Sequence, residues 1–85
     1  MNVMDPVERL RGVFMRTLGL PEGAAVDGLE YRSIPQWDSL AHMSLVAAME
    51  DEFDIMIDTD DVLDMSSFTK ATALLVKHGV PVPAR

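Results

Sequence analysis

Apolar residues recur at helical spacing in three stretches of the chain, and a shorter fourth element fits between the last two. In the first stretch Val7, Leu10, Phe14 and Thr17 or Leu18 follow one another every three or four positions, the repeat of a single helix face. Asp5 as cap, Pro6 in the first helical position and Glu8 two residues later give it a start. Gly19 fits a left-handed stop, Leu20 can close over Met15, and Pro21 bars continuation. A helix over about 5–18 follows, with the role of covering a core.

The second stretch opens at Asp38 and runs to Phe53. It carries two apolar groups where an amphipathic helix needs one. At about 100° per residue, Leu45, Val46, Met49 and Phe53 cluster on one side, with His42 among them. Leu40, Met43 and Ala47 fall a quarter to a third of a turn away, towards Ser39, with Glu50, Asp51 and Asp54 beyond them. The first group is the predicted core face of a helix over 39–53. The second is an apolar strip with an acidic border, a surface a partner protein could grip.

Beyond it, Ile55-Met56-Ile57 alternates and reads as extended chain, too isolated for a sheet. Asp58 or Thr59 can cap a short helix over 59–64, with Val62, Leu63 and Met65 as its buried side. The last helix, about 67–77, is predicted to bury Phe68, Ala71, Leu74 and Leu75, with Lys77 and His78 where cations suit a helix end and Gly79 as the stop. Pro81 and Pro83 mark residues 80–85 as a flexible tail. Residues 19–37, punctuated by Pro21, Gly23, Gly28 and Pro35, form a long connection. A loop of that length stays ordered only by packing its own side chains, and Val26, Leu29, Tyr31 and Ile34 are available for that. The fold class expected is all-α, a single domain over residues 1–85 with three main helices, a short third helix and a long first loop.

Composition narrows the picture. Eighty-five residues allow one modest core. There is no cysteine, hence neither a disulfide nor a thiolate metal site. No run is long enough to span a membrane and no basic-then-apolar leader opens the chain, so the expectation is a cytoplasmic, monomeric protein without a membrane partner. A net charge of −7 argues against nucleic acid and for partners with basic surfaces. Eight of the fourteen acids lie between residues 50 and 64 with no Lys or Arg among them. They read either as a solvated face or as an electrostatic docking surface that speeds and orients association without requiring tight binding. An EF-hand is excluded, because Asp58-Thr59-Asp60-Asp61-Val62-Leu63 lacks the oxygen ligand at position five and the glycine at six; no metal site is expected, with weak divalent-ion binding to the acid cluster left open. Seven methionines serve as flexible core filler, or else Met43, Met49, Met56 and Met65 let the bundle adapt to cargo or partners.

Candidate chemistry gathers at Trp37-Asp38-Ser39-Leu40. Asp38 is a helix cap, and Ser39 falls in the first turn, where a phosphate ester on its hydroxyl would meet the positive end of the helix dipole. The plain alternative is an ordinary cap followed by filler. A catalytic Ser39–His42–Asp38 set is disfavoured: there is no Gly-x-Ser-x-Gly elbow, Asp38 is needed as the cap, and His42 points to the core side. Trp37 reads as a loop anchor first, or else as a staple across the helix start or a border of the docking surface.

With Asp38-Ser39-Leu40, the spacing to Leu45-Val46, the acidic run Glu50-Asp51-Glu52-Phe53-Asp54 and the Ile55–Ile57 segment with its acidic turn, the chain resembles the acyl carrier proteins. The resemblance covers roughly the whole chain and is closest from Ile34 to Ala73. Trp37 departs from it, since many members place a smaller residue there. The resemblance implies a four-helix carrier domain that is not an enzyme but a substrate of biosynthetic enzymes. It implies a 4′-phosphopantetheine arm, taken from coenzyme A by a phosphopantetheinyl transferase and attached to Ser39. Acyl intermediates would ride on that arm as thioesters, in polyketide, fatty-acid or related specialised biosynthesis. Asp38, Leu40, Met43, Ala47, Glu50 and Asp51 would touch acyl-loading and acyl-processing partners. Two alternatives stay open, a peptidyl or aminoacyl carrier and a helical interaction domain that is never modified.

Overall fold

The computed structural model describes residues 5–82, and among them the chain is all-α: four helices, no strand and one isolated antiparallel bridge between Glu30 and Ser67. Helix α1 spans Pro6–Leu18, α2 Ser39–Phe53, α3 Thr59–Asp64 and α4 Phe68–Lys77. Each begins on a side chain that accepts a backbone N–H three residues on: Asp5 from Glu8, Asp38 from Ala41, Asp58 from Asp61 and Ser67 from Lys70. Four short helices thus start where sequence-local bonds satisfy donors that would otherwise be left over.

The stops are equally local. Gly19 takes the left-handed conformation at φ 64°, and the N–H of Leu20 reaches back to the Met15 carbonyl at 3.0 Å. Asp54 does the same for α2 at φ 54°, and Ile55 N–H closes on the Glu50 carbonyl at 3.2 Å. Left-handed backbone is costlier for aspartate than for glycine. Here Glu50 reinforces it, because its carboxylate also accepts the Ile57 N–H at 2.9 Å.

Helices α1, α2 and α4 enclose the core with their predicted faces: Val7, Leu10, Phe14 and Leu18 from α1, joined by Val13, which was not expected; Leu45, Val46, Met49 and Phe53 from α2; and Phe68, Ala71, Leu74 and Leu75 from α4. Phe14 is central, with Trp37 and Phe68 meeting it edge-on at centroid distances of 5.3 and 5.1 Å, a favourable aromatic geometry. Arg9 ties α1 to α2 through the Glu52 carboxylate at 2.9 Å and the Glu52 carbonyl at 2.6 Å.

The long connection, residues 19–38, is part of the core. Val26 and Trp37 are buried, while Leu29, Tyr31 and Ile34 pack half-buried against the cluster. Its backbone is held by Tyr31 N–H on the Ser66 carbonyl at 2.8 Å and Phe68 N–H on the Leu29 carbonyl at 3.0 Å. Trp37 anchors the loop and, being wholly buried, does not border a docking surface.

Two side chains depart from expectation. Leu63 is 75% exposed, because the short α3 turns Met65 into the core and puts Leu63 on the opposite side. Asp61 is buried at 4% exposure. An ion pair with Lys77 Nζ at 2.6 Å and a hydrogen bond with His78 Nε2 at 3.2 Å clamp α3 against the end of α4. The tail also differs from expectation as far as it is described: Val80 and Val82 pack against the core, and Val80 N–H donates to the Leu75 carbonyl at 2.9 Å. Pro83 and the residues after it lie outside the described residues.

Candidate functional site

Ser39 is the first residue of α2 and is exposed. Asp38, in extended conformation at φ −104°, turns its Oδ1 inward to accept Ala41 N–H at 2.9 Å. The capping duty therefore falls on the acid. The Ser39 hydroxyl is left out of the capping, at the helix end whose dipole favours an anion.

The long connection supplies the partners that hold it. Tyr31 OH and Ser39 Oγ share a hydrogen bond of 2.8 Å in which either oxygen can donate. Arg32 donates from a terminal guanidinium nitrogen to the same Oγ at 3.2 Å. The guanidinium also lies over the Tyr31 ring, 5.3 Å from its centroid. Ser39 first, and then Arg32, holds the Tyr31 hydroxyl below the ordinary tyrosine range, and Tyr31 in turn holds the Arg32 guanidinium more firmly protonated.

Behind the serine the side chains are tied together by hydrogen bonds and ring contacts. Trp37 Nε1–H donates to His42 Nδ1 at 2.9 Å, and His42 Nε2 lies 2.8 Å from the Val62 carbonyl. A ring nitrogen that accepts carries no proton, so His42 is the Nε2–H tautomer and donates to Val62. Tyr31 contacts the rings of both Trp37 and His42, at 6.2 and 5.2 Å. The line of contacts runs from Phe14 through Trp37 and Tyr31 to Ser39. Both nitrogens of His42 are engaged away from Ser39 and Asp38 is capping, so these three residues do not form a catalytic relay.

The six surface candidates separate. Leu40 and Met43 are 79% and 54% exposed, and Ala47 and Asp51 are exposed on the same helix. Together they form the apolar strip with an acidic edge, and it begins next to Ser39. Asp38 is exposed but caps α2. Glu50 is half-buried, its carboxylate on Ile57 N–H. Of the acidic run, Glu52, Asp58 and Asp61 likewise serve the fold, through Arg9, the start of α3 and Lys77 respectively. The surface acidity is thinner than the sequence suggests. A cleft of about 130 Å³ lies behind Tyr31, lined by His42, Val62, Leu63, Met65 and Ser66.

No family model and no solved structure matches the chain. Among the described residues, no helix is long and apolar enough to cross a membrane.

Sequence reasoning missed Arg32 as a site residue and took Tyr31 only as loop packing. A signal was present. Arg32 is the one Lys or Arg between Arg16 and Lys70, a lone cation in the acidic middle of the chain.

Proposed function

We propose that the protein is a carrier that receives a 4′-phosphopantetheine arm on Ser39 and presents acyl groups to partner enzymes. The observation that supports this most is the division of labour at the start of α2: Asp38 caps, while the neighbouring hydroxyl is exposed and oriented outward. The Arg32 guanidinium on that hydroxyl and the positive end of the helix dipole suit a phosphodiester. The arm, once attached, supplies the thiol that a cysteine-free chain lacks.

In the loading step the Ser39 oxygen forms a bond to the pantetheine-side phosphorus of coenzyme A. The phosphoanhydride bond breaks and its electron pair leaves with adenosine 3′,5′-bisphosphate. The hydroxyl proton passes to a base of the transferase, because His42 and Asp38 are occupied elsewhere. The chain's own part is to hold the nucleophile in place and to offer Leu40, Met43, Ala47 and Asp51 as the surface the enzyme docks on. An exposed apolar strip with an acidic edge fits partners with a basic rim around an apolar patch. The cargo is an acyl group, in polyketide, fatty-acid or related specialised biosynthesis.

Intact-mass measurement after incubation with coenzyme A and a broad-specificity phosphopantetheinyl transferase tests this. One arm's added mass on the wild type and none on Ser39→Ala is expected. A wild type that stays unmodified while a control carrier is loaded favours a plain helical interaction domain.

A further inference from the structure

Arg32 is unlike the other described arginines. Arg9, Arg11 and Arg16 each make an ion pair with a carboxylate, on Glu52, on Asp27 and Glu8, and on Glu52. Arg32 instead directs its guanidinium at a serine hydroxyl and a tyrosine ring. It does so from left-handed backbone, φ 66°, a conformation in which glycine is the ordinary occupant. The neighbours enforce it: Arg32 N–H donates to the Trp37 carbonyl at 3.1 Å, and Ser33 N–H to the Glu30 carbonyl at 2.9 Å. A non-glycine residue kept at positive φ, with its side chain aimed at one hydroxyl, points to a role for that side chain.

The need is electrostatic. A phosphodiester on Ser39 adds negative charge to a chain already at −7 and places it beside the Asp38 carboxylate. Arg32 is the cation within hydrogen-bond reach of the oxygen that becomes the ester. Arginine's planar fork of donors matches phosphate oxygens better than it matches a neutral hydroxyl.

We infer that Tyr31 and Arg32 are positioning residues for the modification of Ser39. Tyr31 fixes the hydroxyl outward before loading, and Arg32 is the charge partner of the phosphodiester afterwards. This rests on the carrier reading and adds to it the residues that hold the linkage.

The test compares unmodified and modified forms of the wild type, Arg32→Gln, Arg32→Lys and Arg32→Gly by urea unfolding at low and high salt. Arg32→Gly removes the guanidinium while suiting the backbone, so loss of the effect in that variant is not loss of the fold. In the wild type, modification is expected to raise the folding equilibrium constant about threefold at low salt, as an exposed charge pair does. The gain fades at high salt, survives in large part in Arg32→Lys, and is cut in Arg32→Gln and Arg32→Gly to what the helix dipole alone supplies. Tyr31 is the chain's one tyrosine, so tyrosinate absorbance reads it alone. Its ionisation is expected to move to higher pH in both Ser39→Ala and Arg32→Gln. Equal gains in wild type and Arg32→Gln, or a tyrosinate curve that neither substitution moves, would overturn the role of these residues while leaving the carrier reading intact. A wild type that takes no arm would sink both.

Discussion

Ser39 and Ser67 both stand at a helix start, one step apart in the capping frame, and their hydroxyls have opposite uses. Ser67 is itself the cap: its Oγ accepts Lys70 N–H at 3.0 Å, and the residue is half-buried in the bridge to Glu30. Ser39 comes one residue after its cap, Asp38, and faces outward to Tyr31 and Arg32. A serine in the cap position serves the helix. A serine just inside it, behind an acid that has taken over the capping, is available to something outside the protein. The loop decides the rest, because it brings a tyrosine and an arginine to Ser39, whereas Ser67 is used by its own helix.

The sharpest break in that comparison is loading. Ser39→Ala is expected to abolish attachment of the arm and Ser67→Ala to leave it intact, as read by intact mass. Next in size is the support behind Ser39. Trp37→Ala opens a cavity beside Phe14, and a loss of about 3–5 kcal/mol in urea unfolding is expected. Trp37→Phe keeps most of the packing but leaves His42 Nδ1 without its donor, at about 1–3 kcal/mol. The capping difference is smaller and reverses the order of the two serines. Ser67→Ala is expected to cost about 1 kcal/mol of stability, and Ser39→Ala less than about 0.5 kcal/mol, the usual range for a surface change.

A last prediction concerns the clamp at the far side of α3. The Lys77 ammonium, helped by the His78 ring, outweighs burial and holds the Asp61 carboxyl below the usual carboxylate range. A carboxyl depressed in the folded state contributes stability above its unfolded value, about 4, and loses it as pH falls through the folded value. Chemical unfolding across the acid range should therefore find Asp61→Asn less stable than wild type at neutral pH, with the gap narrowing below about pH 4. A constant gap would mean that the pair contributes nothing through charge.

The helices were legible because their signals are local. Caps at Asp5, Asp38 and Asp58, the stop at Gly19 and the apolar period of α1, α2 and α4 need only neighbours within a turn or two. The split of α2 into a buried face and an exposed strip was legible for the same reason. What escaped was non-local. Asp61 reads as one more surface acid until Lys77 and His78, 16 and 17 residues on, are folded against it. Arg32 meets Ser39 only because the loop bends at positive φ, and a turn enforced by the Trp37 carbonyl leaves no mark in the composition of the turn itself. Leu63 failed for a related reason: six residues are too few for periodicity to say which side of α3 is buried.

The most direct test is to find the atom that carries the arm. Wild-type protein is loaded from coenzyme A, digested, and its peptides fragmented by mass spectrometry. The phosphodiester is expected on Ser39 alone. An arm on Ser67 or any other hydroxyl, or a folded protein that accepts none, contradicts the account.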